Sequence, residues 1–155
     1  LFRSVEHLAS ALEALENVTS LEVNFDDCLG VTDKGILIFV KGLQNLKKIT
    51  NLSLRCWSLI VDDDTLEALG STLSSLEFLT TLYLNFNECN FITDIGVDKL
   101  SKHIEKIKLL HSVDLNFWKC ASISEMGRDI LNKLKDIPTV TTFKLECKEM
   151  DSYIY

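Results

Sequence analysis

Apolar residues recur along this chain in a five-place frame with spacings of three, four, three and three. The frame reads Val5-Leu8-Leu12-Leu15-Val18, then Ile36-Phe39-Leu43-Leu46-Ile49, Leu66-Leu69-Leu73-Leu76-Leu79 and Val97-Leu100-Ile104-Ile107-Leu110. A fifth copy, Gly127-Ile130-Leu134-Ile137-Val140, keeps four of its five apolar places. Spacings of three and four place these residues on one helical face. Each frame is followed at once by an alternating trio: Leu21-Val23-Phe25, Leu52-Leu54-Cys56, Leu82-Leu84-Phe86, Val113-Leu115-Phe117 and Phe143-Leu145-Cys147. Alternation of this kind is the period of a half-buried strand. The trios begin at residues 21, 52, 82, 113 and 143, in steps of 31, 30, 31 and 30. A fixed period of that length predicts a solenoid.

Residues 79–110 show what one unit contains. Leu82, Leu84 and Phe86 alternate with Tyr83 and Asn85, and the segment from Asn87 to Phe91 breaks the alternation. Ile92 returns to the core, Thr93 or Asp94 caps a helix, and Gly96 falls in its first turn, where two backbones are expected to approach closely. Val31-Thr32-Asp33-Lys34-Gly35 and Ile123-Ser124-Glu125-Met126-Gly127 repeat that capping segment, whereas the second unit has Thr65 in place of the glycine. Pro138, the only proline, stands where a helix is expected to stop. A unit of strand, turn, helix and return cannot bury both apolar faces alone. Stacking buries them, with parallel strands on one side and helices on the other. The expectation is an α/β solenoid spanning residues 1–155 as a single array. It has a parallel, concave sheet of about five strands, helices on the convex side and no hairpins. The first helix precedes its own strand, and the tail Met150-Asp151-Ser152-Tyr153-Ile154-Tyr155 is apolar, so the array reads as a piece of a longer solenoid.

The segments Leu79-Thr-Thr-Leu-Tyr-Leu-Asn-Phe-Asn-Glu-Cys-Asn-Phe-Ile-Thr-Asp-Ile-Gly-Val97 and Val18-Thr-Ser-Leu-Glu-Val-Asn-Phe-Asp-Asp-Cys-Leu-Gly-Val-Thr-Asp-Lys-Gly-Ile36 resemble leucine-rich repeats. They are most similar to the long ribonuclease-inhibitor-like and cysteine-containing types, as found in divergent arrays of single-celled eukaryotes. The hallmark is L-x-x-L-x-L, then Cys or Asn, then I-T-D-x-G and a helix. The cysteine here stands two residues later than in that frame, after an added apolar place at Phe25, Phe86 and Phe117, which implies a longer strand or a wider turn. The resemblance implies a horseshoe that binds proteins, chiefly through its concave sheet.

Charge and cysteine placement narrow the function. The net charge is −7, which disfavours phosphate backbones and anionic membrane surfaces, so no nucleic acid is expected. No apolar run approaches the roughly 20 residues that cross a bilayer, so no membrane insertion is expected either. No secretory leader is visible. Cys28, Cys89 and Cys120 each stand ten residues after the last apolar place of the preceding frame, and Cys56 and Cys147 fill third places of trios. Equivalent places stack, so these thiols read as small buried hydrophobes in a reducing, cytoplasmic setting. Without a C-x-x-C or a calcium-loop spacing, no metal is expected. Asp62-Asp63-Asp64 read as helix capping, and His7, His103 and His111 have no partners for nucleophilic catalysis. No phosphate loop or paired catalytic carboxylates occur, so no cofactor and no enzymatic activity are expected.

Residues between the inward trio places must face the concave side. They form columns: Ser20, Asn51, Thr81, Ser112, Thr142; then Glu22, Ser53, Tyr83, Asp114, Lys144; then Asn24, Arg55, Asn85, Asn116, Glu146; then Asp26, Trp57, Asn87, Trp118, Lys148. Trp57 and Trp118 share a column two repeats apart, which predicts a separation of roughly 10 Å. Trp57, Tyr83, Trp118, Arg55, Asn85, Asn116 and Asp114 are therefore the candidate partner-binding residues, since Trp, Tyr and Arg dominate interfaces. The indoles either serve that interface or fold over the strand-to-loop edge. Asn24, Asn85 and Asn116 form a side-chain ladder or offer amides to a ligand. The expected function is a non-enzymatic module binding a protein partner. The alternatives are a scaffolding segment of a large assembly and a regulatory repeat segment of a longer enzyme.

Overall fold

The computed structural model describes residues 2–147 apart from Glu13, Glu16 and Leu29, without the side chains of residues 2–6. Lys148 and the tail to Tyr155 lie outside the described residues. Helix and strand alternate along the chain: α1 (Phe2–Leu12), β1 (Ser20–Asn24), α2 (Asp33–Leu43), β2 (Asn51–Arg55), α3 (Asp63–Ser74), β3 (Thr81–Asn85), α4 (Asp94–Ile104), β4 (Ser112–Asn116), α5 (Glu125–Asn132) and β5 (Thr142–Glu146). The strands form one parallel sheet in sequence order. Register follows the trios: Leu21, Leu52, Leu82, Val113 and Phe143 pair in line, as do Val23, Leu54, Leu84, Leu115 and Leu145. The fold is the α/β repeat array that the period predicts, with one core running between sheet and helices.

The third trio place lies just past each strand, yet it stays inward. Phe25, Cys56, Phe86 and Phe117 are buried, with Phe25 edge-on to Phe39 at 5.2 Å and Phe86 beside Phe117 at 5.5 Å. The added apolar place therefore makes a wider turn, not a longer strand. After β1 to β4 the chain passes through one left-handed residue at each turn, Asp27, Ser58, Glu88 and Lys119, with φ between 57° and 60°. None is glycine, so each carries a steric cost. The wider turn also explains the late cysteine. The Cys89 thiol donates to the Cys56 carbonyl at 3.0 Å, and Cys120 donates to the Phe86 carbonyl at 3.0 Å, in both cases reaching the preceding turn. All five cysteines are free; Cys28 and Cys147 are half-buried.

The helix starts are where repeat meets repeat. Thr32, Asp62, Thr93 and Ser124 cap α2 to α5 by accepting from the N–H of Gly35, Thr65, Ile95 and Met126. Asp63 then reaches forward, accepting from the Thr93 N–H at 2.8 Å and the Thr93 hydroxyl at 2.6 Å. Asp94 does the same with the Ser124 N–H at 2.8 Å and its hydroxyl. A Cβ at Gly96 or Gly127 would overlap the Asp63 or Asp94 carboxylate. The close approach expected at Gly96 is thus made by Asp63 of the preceding repeat, through its carboxylate first and its backbone Cα as well. The weak fifth frame has a visible effect: α5 has eight residues and runs into a 3₁₀ turn, Lys133–Asp136, with Pro138 two residues beyond it.

Candidate functional site

At the strand N-termini, one carbonyl per repeat gathers the next repeat. The Thr19 carbonyl accepts from the N–H groups of Thr50 and Asn51, Thr50 from those of Thr80 and Thr81, Thr80 from those of His111 and Ser112, and His111 from those of Thr141 and Thr142. The hydroxyls of Thr50, Thr80 and Thr141 add to the same acceptors. His111 therefore occupies a threonine place through its backbone, while its ring is exposed.

The asparagine column ends the strands. Asn24, Asn85 and Asn116 each accept, through Oδ1, the N–H two residues on, at Asp26 (2.7 Å), Asn87 (3.0 Å) and Trp118 (2.9 Å). This is an Asx turn, in which the side chain replaces a strand partner. The amide of Asn116 donates across to Glu146 at 2.7 Å, and that of Asn85, which is buried, lies 3.4 Å from the Tyr83 hydroxyl. In the second repeat Arg55 stands in this column and cannot accept. Asp26 substitutes from the preceding repeat: its Oδ1 takes the Trp57 N–H at 2.9 Å, and its Oδ2 takes Arg55 Nε at 2.8 Å and pairs with the guanidinium. Bonding to Asp26 raises the pKa of Arg55, keeping it charged.

The two tryptophans differ. The turn ladder keeps their register, because Ser58 N–H donates to the Asn87 carbonyl and Glu88 N–H to the Trp118 carbonyl. Trp57 is half-buried, with its indole nitrogen covered. Trp118 is 39% exposed, lies under the Lys119 ammonium at 4.2 Å, and borders a hollow of about 370 Å³ with Leu145, Glu146 and Cys147. Lys119 also pairs with Glu88 at 3.0 Å. Tyr83 stands in register between Ser53 and Asp114. Burial pushes the Asp114 carboxyl above the usual range, against the pull of Lys144, whose ammonium is 3.8 Å away and 2.9 Å from Glu146.

The structure thus brings Tyr83, Asn85, Asp114, Asn116 and Trp118 onto adjoining strands and turns, while Arg55 and Trp57 are tied to Asp26. Sequence reasoning passed over Asp26 as a member of this group. Its acidic character, one column from Arg55 and one repeat back, was the available signal. Among the described residues no group of histidine, cysteine and carboxylate side chains could hold a metal, and no helix is long and apolar enough to cross a membrane.

No known family matches the sequence, and no curated protein matches it. Solved structures do match in shape. Leiomodin-1 actin-binding site 2 superposes with a TM-score of 0.65 at 18% identity, covering 96% of this chain and 79% of that one. The tropomodulin C-terminal domain of Caenorhabditis elegans superposes with a TM-score of 0.67 at 12% identity, covering 96% and 84%. At such identities the likeness establishes the fold class, a leucine-rich-repeat-like α/β array.

Proposed function

We propose that this chain is a non-enzymatic protein-interaction module whose concave sheet takes a partner through Tyr83, Trp118, Asp114, Asn85 and Asn116, with Arg55 and Trp57 at its margin. The observation that carries the reading is Trp118. It is a large apolar ring 39% exposed, at the mouth of a hollow lined by Leu145, Glu146 and Cys147, on the turn that follows the strand of half-buried Asp114. Aromatic anchors of this kind commonly contribute on the order of 2–4 kcal/mol to a complex. Five unpaired thiols, three of them buried, support a reducing, cytoplasmic setting. The thiol-to-carbonyl bonds of Cys89 and Cys120 support placing the array near the ribonuclease-inhibitor-like, cysteine-containing repeats, as a variant with a wider turn.

Filamentous actin is the first partner to test, because one structure of like fold is named for an actin-binding site. The chain is expected to cosediment with filaments, and a Tyr83→Ala/Trp118→Ala variant to lose most of that binding. If actin fails, the same variant is compared with the parent in affinity capture of partners. Equal affinity of parent and variant for every partner recovered would remove the concave assignment.

A further inference from the structure

The rim formed by the strand-to-helix loops has a composition that folding explains only in part. Over residues 26–35, 57–65, 87–96 and 118–127 it holds nine acids and two lysines. The opposite rim, over residues 44–50, 75–80, 105–111 and 133–141, holds six lysines and three acids. Several of the nine acids have internal duties: Asp26 with Arg55, Asp62 as a cap, Asp63 and Asp94 as inter-repeat acceptors, and Glu88 with Lys119. Asp27, Asp64 and Glu125 remain exposed and Asp33 half-buried, and four large apolar side chains are exposed too: Ile60 (57%), Phe91 (62%), Ile95 (62%) and Met126 (62%).

These four fall in two rows. Ile60 and Phe91 each stand two residues before the cap of their helix, in neighbouring repeats. Ile95 and Met126 each stand two residues after the cap, again in neighbouring repeats, at the place filled by Lys34 and Asp64 in the repeats before them. Only the backbone N–H of Ile95 and Met126 is used in capping, so a polar side chain would serve the fold equally well. The carboxylates flank the apolar row, with Asp64 at one end and Glu125 next to Met126 at the other. An apolar strip bordered by acids complements a strip of apolar side chains bordered by bases.

We infer that this rim is a second docking surface, separate from the concave sheet, and that it receives an amphipathic, lysine- or arginine-rich helix of a partner protein. Phe91, Ile95 and Met126 meet the apolar face of that helix, and Asp64 and Glu125 meet its cations.

The test is fluorescence anisotropy with a labelled peptide of about five helical turns, leucine on one face and lysine on the other, titrated with the 155-residue chain. Binding is expected to weaken with salt and to fall about tenfold or more for Phe91→Ser/Ile95→Lys/Met126→Lys. It is expected to fall several-fold for Asp64→Asn/Glu125→Gln, and to persist in Tyr83→Ala/Asp114→Asn, which alters the sheet face outside the rim. Thermal melts of each variant confirm that the fold is retained. A peptide of the same composition with its faces scrambled, or with glutamate for lysine, is expected to bind at least about tenfold more weakly. The inference is overturned by equal binding to the rim variant, by equal binding of the scrambled peptide or by no binding at all. A wild-type dimer that the rim variant dissolves would also overturn it, assigning the patch to a second copy of this chain.

Discussion

Arg55 stands where three other repeats use asparagine, and Asp26 repairs the turn from one repeat away. Asp26→Ala should strand the Trp57 N–H and release the guanidinium, costing about 2 kcal/mol in urea unfolding. Adding Arg55→Asn should recover much of that loss, because an asparagine there can accept the N–H itself. No recovery would refute the substitution of one side chain for the other. Gly96 invites a second measurement. Gly96→Ala should displace the Asp63 carboxylate from Thr93 and cost about 2–3 kcal/mol. Combined with Asp63→Ala the two losses should be clearly less than additive. The thiols offer a third. Burial pushes Cys89 and Cys120 up to about 12, so at pH 8 their thiolate populations fall about a thousandfold below that of an ordinary cysteine. Iodoacetamide should therefore alkylate half-buried Cys28 well before either, as read by mass spectrometry of the native protein.

At the scale of the element, α3 and α4 meet where Gly70 faces the His103 side chain; a Cβ at 70 would come within 2.9 Å of the His103 Cβ. Ser74 Oγ lies 3.4 Å from His103 Nδ1. Desolvation in this contact, aided by Lys106 and opposed by Glu67, lowers the imidazole pKa below its ordinary 6.5. The unfolded chain then binds this proton more readily than the folded one. Stability from this site is complete above about pH 6.5 and declines as pH falls toward the lowered folded value. His103→Gln should flatten the pH dependence of the urea midpoint between about pH 7 and 5.5 relative to the parent. The elements themselves were legible in the sequence because their inward residues obey two clean periods. The strand ends were not, since the third trio place is inward like the first two, and only the Asx turn at Asn24, Asn85 and Asn116 marks where pairing stops. Arg55 was legible as a candidate but not as a bonded one, because its partner lies 29 residues away. Nor did the columns separate Trp57 from Trp118, since the difference in their exposure arises from turn packing.

For the whole molecule, burial is deepest in the middle. Inward residues of β2, β3 and β4 are fully buried, while Leu21, Val23, Phe143 and Leu145 on β1 and β5 are half-buried. In a one-dimensional stack each unit draws stability from its neighbours. Native-state hydrogen exchange of the 155-residue chain should therefore be slowest in β2 to β4, with amides of β1 and β5 exchanging faster. Uniform protection across all five strands would contradict this picture.

The forward-reaching carboxylates also make some units interchangeable. Excising residues 81–111 would set Asp63 opposite Ser124 and Gly127, the same joint that Asp94 makes now, and would hand Ser112 to the Thr50 carbonyl. Removing the second unit instead would leave Asp26 facing an asparagine, its cation gone. Shortening of such a chain by recombination is thus open at the third unit, whereas loss of the second deprives Asp26 of its ion pair.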